Sequence, residues 1–330
     1  MSRGLELAIL GAAGLNGENL IQVIQNSSLP IAQLHLLDSN AHLGRNVDAG
    51  GKLLPLSDYA DYNYQECDLA LVCEDVPVSV IEQIRAQGCT LIAPGYLLPD
   101  ADTALTLADV NSDQQGFDKG MAIAVPPARA AVIATLLSPL HDEQGVTAVN
   151  AVWFCSVSSD GRHAVEGLAG ETAQLLNGQK VKARVYDEKV AFNLLARDAS
   201  SEEAGLTTLW RELWGEELQA SVSTAVAPLF FGDLLSLTVE LEQECDEEAF
   251  ASILSAVDDI DIANSQSAVT LSGADVVGEE LLKVGDIRRV DQEGRRYTFW
   301  VAVDTQRFGL AYNLTKITQA LAKKLFISYS

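Results

Sequence analysis

A glycine-rich turn between an apolar strand and an amphipathic helix constrains this chain more than any other feature. The apolar run at residues 5–10 predicts a buried strand. Three glycines follow at a spacing of three: Gly11, Gly14 and Gly17. Apolar residues then recur at helical spacing within residues 18–25. The order is therefore strand, glycine turn and helix, which is typical of nucleotide-binding folds.

Such a turn can bind the diphosphate of a dinucleotide. Small residues let the backbone turn sharply and approach a ligand, and the N-terminus of the helix offers unpaired N–H groups and a positive dipole. The spacing G-x-x-G-x-x-G differs from the commoner G-x-G-x-x-G, so a tight turn that binds nothing is the alternative. Because a strand and a helix flank the glycines, we favour a dinucleotide site. Its predicted residues are Gly11, Ala13, Gly14, Leu15, Asn16 and Gly17, together with Asp38 and Ser39.

The second strand, at residues 31–37, ends at Asp38, which lies 21 positions beyond Gly17. Dinucleotide-binding folds place an acid at about this position, where it binds the ribose 2′-hydroxyl. An acid there favours NAD and disfavours the 2′-phosphate of NADP. The alternative is that Asp38 merely opens the polar loop at residues 39–46. We therefore predict NAD as the cofactor of this site, with NADP less favoured.

Strands and helices continue to alternate as far as residue 140. Strands are predicted at residues 68–73, 88–93 and 121–125, and helices at residues 78–87 and 128–140. This alternation is typical of a doubly wound parallel sheet. The predicted fold class is therefore α/β, with a Rossmann-like N-terminal sheet.

The pattern changes near Thr147. Longer runs of β-forming residues occur at 146–157, 221–242, 284–290 and 297–303, with helices predicted at 163–176, 203–218 and 247–257. Fewer alternations and longer strands predict a second, α+β domain with a partly antiparallel sheet. A last amphipathic helix is predicted at residues 312–325.

The composition restricts the partners of the protein. Lys+Arg 22 against Asp+Glu 46 gives a formal net charge of -24, which repels nucleic acid and anionic membranes. A small-molecule or nucleotide ligand remains compatible with this charge if basic residues gather at its pocket. Five scattered cysteines without metal-ligand spacing predict a reducing compartment and no metal site. The sequence shows no signal-peptide or membrane-spanning pattern, so we expect a cytoplasmic protein.

Eight short phrases of the sequence resemble one enzyme family in content and order. They include GAAGLNG at 11–17, ADVN at 108–111, PLFFG at 228–232 and WVAVDTQRFGLAYN at 300–313. Together they resemble aspartate-β-semialdehyde dehydrogenase over essentially the whole chain, and the Usg-type branch of its homologues in particular. The resemblance implies an NAD-binding domain at residues 1–128 plus 308–330. It also implies an α+β dimerisation domain at residues 129–307, and hence a homodimer.

In that family a cysteine thiolate attacks the substrate aldehyde, a histidine handles protons, hydride passes to NADP, and phosphate releases the acyl group. A thiolate is required because it is nucleophilic at neutral pH and leaves readily afterwards. Matching the family's phrases places Ala128 at the position of the cysteine and Asp233 at the position of the histidine. Because a methyl group forms no thioester, the resemblance implies that the catalytic residues are absent.

The family's other functional positions depart in the same direction. The arginine that grips the substrate carboxylate is matched by Val226, and the arginine that binds phosphate is matched by Leu97. A substrate lysine falls on Gly205, and an asparagine beside the nicotinamide falls on Thr305. The arginine that meets the 2′-phosphate falls on Ala41, which again favours NAD. Without three of these cations the site loses most of its attraction for an anionic substrate.

Cys155 is the one residue that could restore a nucleophile, because it matches a glutamine near the family's catalytic cysteine. An inert cysteine in the strand at residues 153–157 is the favoured alternative. We therefore predict a family member that lacks the ancestral activity, binds NAD and forms a homodimer. One alternative is an active oxidoreductase that uses altered residues on an uncharged aldehyde. The other is a regulatory or structural subunit with an empty nucleotide cleft.

Overall fold

The computed structural model describes residues 4–98, 105–112, 118, 120–263, 269 and 271–327, with only the backbone described at residues 325–327. The side chain of Leu325, the last apolar position of the predicted C-terminal helix, therefore lies outside the described residues. The chain divides into two compact units, one of residues 1–127 and 309–330 and the other of residues 128–308. Within the described ranges, no helix is both long enough and apolar enough to cross a bilayer.

The first unit is a sheet covered by helices. It contains strands β1 (Leu5–Leu10), β2 (Ile31–Asp38), β3 (Asn46–Asp48), β4 (Leu53–Asp58), β5 (Leu69–Val72), β6 (Thr90–Pro94) and β7 (Ala122–Val125), with helices α1 (Leu15–Asn26) and α2 (Val78–Ala86) and the C-terminal helix Asn313–Ile327. The strand order is β3-β4-β2-β1-β5-β6-β7. Every pair is parallel except the edge pair β3–β4. This order confirms the predicted Rossmann-like, doubly wound sheet.

β1 lies in the centre of this sheet, and its side chains enter two cores. Leu7 packs with Leu20 of α1 and Leu314 of the C-terminal helix. Ala8, on the opposite face, packs with Ile81 of α2. Because both faces are covered, every residue of β1 except the half-buried Glu6 is apolar. Full burial of each large aliphatic side chain contributes about 1.5–3 kcal/mol.

The glycine turn joins β1 to α1 with almost no space to spare. Gly11 has a φ of +86°, a left-handed conformation that glycine adopts without the strain of a Cβ. A Cβ added at Gly17 would overlap the carbonyl oxygen of Gly11 and lie 2.6 Å from the Cα of Ala12. The first turn of α1 therefore packs directly on the backbone of the turn, and this packing requires glycine at position 17.

The second unit is built on a mixed sheet. It contains helices α3 (Ala128–Gln144), α4 (Arg162–Leu176), α5 (Ser200–Trp214) and α6 (Glu247–Ser255), with strands β8 (Val146–Cys155), β9 (Leu195–Arg197), β10 (Gln219–Val226), β11 (Asp233–Leu241), β12 (Ile260–Ile262), β13 (Leu282–Arg289) and β14 (Arg296–Val303). The strand order is β12-β13-β14-β11-β8-β10-β9. β8–β10 and β12–β13 are parallel, and the remaining pairs are antiparallel. This sheet confirms the predicted α+β class.

The two faces of the second sheet differ in burial. Leu235 and Leu237 of β11 are fully buried on one face. Leu234, also in β11, lies on the opposite face and is half-buried. On that opposite face Val152, in the middle of β8, is 43% exposed. Phe154 stacks beside Trp300 there, with ring centroids 6.2 Å apart. The second unit thus presents a half-open face that carries apolar side chains.

At two glycines the structure departs from the sequence prediction. The helix predicted at 203–218 is α5, which ends at Trp214 because Gly215 turns the chain with a φ of +71°. The β-forming run predicted at 221–242 is two strands, β10 and β11, and the turn between them uses Gly232 at a φ of +77°. In both cases a left-handed glycine interrupts a segment whose composition favours continuation.

Gly17→Ala is expected to lower the free energy of unfolding by about 1–3 kcal/mol, because the new methyl group overlaps backbone that has little room to move. Helix propensity alone predicts the opposite sign, since alanine is the better helix former. Gly170→Ala in α4 is the matched control, because a Cβ there meets nothing within 4 Å. Urea unfolding of the two variants checks the prediction, and a Gly17→Ala protein as stable as the wild type would contradict it.

Candidate functional site

The glycine turn lies where β1 and β5 end side by side. Gly14 precedes α1 and has no side chain that could cap the helix, so the first N–H groups of α1 point at whatever lies over the turn. The Asn16 side-chain amide donates to the carbonyl oxygen of Cys73, just beyond β5, at 3.1 Å. The structure brings the predicted nucleotide residues together here: the six of the turn and α1, and Asp38 and Ser39 at the end of β2. This geometry suits an anion at the start of α1.

Asp38, the predicted ribose acid, is already engaged by the protein. Its Oδ2 accepts the backbone N–H of Ala13 at 2.8 Å. Its Oδ1 accepts the backbone N–H of Ser39 and Nδ1 of His42, each at 2.7 Å. The side chain therefore ties the end of β2 to the glycine turn. Its use for a ribose hydroxyl stays a prediction.

Sequence reasoning missed Glu74, which follows β5. A Cβ added at Gly11 would lie 2.7 Å from the Cβ of Glu74, and one added at Gly14 would overlap the Glu74 carboxylate. The same carboxylate lies near the backbone N–H of Asn16, which acts to lower the pKa of Glu74. The available signal was the pair Glu74-Asp75 at the carboxyl end of a buried parallel strand, where residues that face ligands usually lie.

In the second unit, Ala128 is the first residue of α3 and is half-buried. The next residue, Arg129, pairs through Nη1 with Oε1 of Glu202 at 2.7 Å. Its guanidinium carbon lies 5.8 Å from the centre of the Trp153 ring. The cation beside Ala128 is thus held by a carboxylate and an aromatic face.

Asp233, at the position of the family's histidine, is fully buried at the start of β11. Its Oδ2 accepts Nε1–H of Trp153 at 2.8 Å and the hydroxyl of Thr305 at 3.2 Å. Its Oδ1 accepts the backbone N–H of Ser156 at 2.7 Å and the Ser156 hydroxyl at 2.6 Å. These four donors fill the acceptor sites of a carboxylate.

Burial raises the pKa of the Asp233 carboxyl, while the hydrogen bonds from Ser156 and Trp153 and the charge of Arg129 act in the opposite direction. A general base has to reach the proton that it removes. The acceptor sites of Asp233 face the protein's own donors, so its geometry suits a structural carboxylate and not a proton acceptor for a substrate.

The thiol of Cys155 is fully buried at the end of β8. Burial raises the pKa of this thiol to about 12, and the nearby charge of Asp233 raises it as well, against an opposing effect of Arg129. Because the thiolate is the nucleophile, a thiol with this pKa is almost entirely in its unreactive form near pH 7. These properties favour an inert cysteine; its role as a substitute nucleophile is untested.

Two further positions matched by the resemblance are occupied by contacts of the protein itself. Val226 is buried at the end of β10. Thr305 donates its hydroxyl to Asp233 at 3.2 Å, and Asp304 before it accepts the backbone N–H groups of Gly278 and Gln306, at 2.9 and 3.1 Å. Within the part of the chain that the structure describes, His, Cys, Asp and Glu side chains form no group of three or more that could hold a metal ion.

A Rossmann-like unit with a glycine turn and a mixed-sheet unit define the architecture of a two-domain dehydrogenase. Residues 6–115 match the family model "Semialdehyde dehydrogenase, NAD binding domain", and residues 137–307 match "Semialdehyde dehydrogenase, dimerisation domain". The chain therefore belongs to the semialdehyde dehydrogenase family.

Individual relatives agree over nearly the full length. The chain is 32% identical to a USG-1 protein homolog of Azotobacter vinelandii over 340 residues, which cover 98% of this chain and 99% of the relative. It is 26% identical to an aspartate-semialdehyde dehydrogenase of a Shewanella species, covering 99% of this chain and all of the relative. A solved structure of a probable aspartate-semialdehyde dehydrogenase from Pseudomonas aeruginosa superposes with a TM-score of 0.88 at 28% identity, over 98% of this chain and 100% of that one. The first of these relatives fits the Usg-type branch.

Asp233→Asn is expected to lower the free energy of unfolding by about 2–3 kcal/mol. The NH₂ group of the asparagine would face N–H and O–H donors that the carboxylate now accepts, and these donors would lose their acceptor. Urea unfolding followed by near-UV circular dichroism and tryptophan fluorescence measures the change. Asp258→Asn is the matched control, since Asp258 is exposed in the same unit. Equal stability of the two variants would show that the hydrogen bonds of Asp233 do not hold this unit together.

Proposed function

We propose that this protein has lost the semialdehyde dehydrogenase reaction and acts through binding and association, as a homodimer. The observation that carries the proposal is the state of the two catalytic positions. Ala128 offers only a methyl group, and the Asp233 carboxylate is fully buried under four hydrogen-bond donors. The family membership therefore applies to the fold and not to the reaction.

The chemical groups that the family uses for thioester formation and for substrate binding are missing at these positions. Formation of a thioester needs a sulfur atom, and carbon replaces it at Ala128. Binding of an anionic substrate needs a cation that is not already neutralised, whereas Arg129 is paired with Glu202. Cys155 does not supply the sulfur, because its thiol is buried and its pKa is raised to about 12.

Dimerisation is supported by the half-open face of the second sheet. This face places Val152 and the stacked pair Phe154 and Trp300 side by side. Exposed apolar side chains on a central strand are typical of a surface that a partner covers. Residues 137–307 also match a dimerisation domain of the family. We assign the homodimer contact to this face of the segment 129–307.

We assign the nucleotide site to residues 1–128 plus 308–330, with NAD favoured over NADP. Asp38 lies at the end of β2, and Ala41 leaves no cation at the position of the family's 2′-phosphate arginine. We place the protein in the cytoplasm, since all five cysteines are free thiols.

The purified protein is expected to give no phosphate-dependent reduction of NADP or NAD with aspartate semialdehyde, because no thioester can form. Absorbance at the reduced-cofactor band and intact-protein mass spectrometry check both hydride transfer and acylation. An active aspartate-semialdehyde dehydrogenase is the positive control. Cys155→Ser should match the wild-type background. Turnover above the blank, or an acylated form of the wild-type chain, would refute the loss of activity.

Light scattering is expected to show twice the mass of one chain. Val152→Arg should shift the protein to monomer, because it places a charge in the middle of the proposed apolar contact. Leu176→Arg is the matched control: Leu176 is 74% exposed and lies at the end of α4, not on a strand of the sheet. A monomeric wild type, or a Val152→Arg protein that stays dimeric, would contradict the assigned interface.

A further inference from the structure

The side chain of Glu74 lies across the glycine turn. Its stem is next to Gly11, since a Cβ added there would lie 2.7 Å from Cβ and 2.8 Å from Cγ of Glu74. Its carboxylate is over Gly14, since a Cβ added there would overlap Oε1 and Cδ and lie 3.0 Å from Oε2. The side chain therefore follows the path by which a ligand would approach the glycines.

The carboxylate also lies beside the start of the helix. It is near the backbone N–H of Asn16, in the first turn of α1, and this N–H acts to lower the pKa of Glu74. Negative charge at this end of a helix is stabilised by the helix dipole. The backbone beside Glu74 is fixed as well, because the Asn16 side-chain amide donates to the carbonyl oxygen of Cys73. Glu74 thus places negative charge where a diphosphate would place it at such a turn.

Further acidic groups surround this carboxylate. Partial burial raises the pKa of Glu74, and the nearby charges of Asp38 and Asp75 raise it further. His42 and the Asn16 N–H act in the opposite direction, and the Tyr96 hydroxyl also lies within its electrostatic reach. His42 itself is paired with Asp38. An incoming diphosphate would add two negative charges to a cluster of carboxylates.

We propose that Glu74 is an internal occupant of the diphosphate position and determines which ligands the glycine turn accepts. While its carboxylate lies over Gly14, dinucleotides are excluded, and they bind only when this side chain moves away or is removed. The inference rests on the proposed nucleotide site in the first unit.

Calorimetric titration of the full-length protein with NAD tests this role. Glu74→Ala is expected to bind NAD at least about tenfold more tightly than the wild type, since it clears the turn and removes one like charge. Glu74→Gln should give a smaller gain, because its amide still fills the space without the charge. Asp75→Asn is the matched control: it removes the same charge one residue further on, from an exposed side chain bonded to Tyr96.

The possible results separate the two proposals. Equal NAD affinity of the wild type and Glu74→Ala would keep the nucleotide site and overturn the role of Glu74. No NAD binding by either protein at millimolar NAD would overturn both. An equal gain in Asp75→Asn would assign the effect to general charge and refute occupancy of the turn. Thermal midpoints show that each variant is folded, and Glu74→Gln, which keeps the shape of the side chain, serves if Glu74→Ala is not.

Discussion

The second unit depends on a buried carboxylate that has to be saturated with hydrogen bonds. An ionised carboxylate without partners in a protein interior costs several kcal/mol, so its position is tolerated only where donors surround it. The donors to Asp233 come from Trp153 and Ser156, at the end of β8, and from Thr305, after β14. These contacts join the ends of three adjacent strands. The same contacts fill the acceptor sites of the Asp233 carboxylate, so the bonds that join these strands leave it no free acceptor site for a substrate proton.

In the first unit, too, acidic side chains contact groups of the protein itself. Asp38 accepts the N–H of Ala13 within the turn, and the Glu74 side chain covers Gly14 beside the N–H of Asn16. In each unit an acidic side chain therefore contacts the protein's own groups at the predicted site. Acidic residues thus lie inside both units as well as on their surfaces.

The fold class could be predicted because its signals are local. The apolar run of β1, the glycine turn and the periodicity of α1 lie within about twenty residues, and the alternation of elements continues from there. The two boundary errors arose at Gly215 and Gly232, where one left-handed residue outweighs the propensity of its neighbours. Sequence pattern carries little information about such single backbone conformations.

The sequence predicted which positions form the site, but not the contacts that their side chains make. Resemblance pointed to Ala128 and Asp233, but the partners of Asp233 are Trp153 and Ser156, 80 and 77 residues away along the chain. Glu74 escaped notice for the same reason, since it meets the glycine turn through the pairing of β5 with β1. Contacts across a sheet depend on register and topology, which no single stretch of sequence reveals.

The glycines of the turn have an evolutionary consequence. A side chain at position 17 would overlap the backbone of Gly11 and Ala12 whether or not a nucleotide ever enters the cleft. Selection for a stable fold is therefore enough to keep this glycine. Its presence in a sequence reports on the scaffold, and binding of a nucleotide has to be inferred from the side chains around the turn.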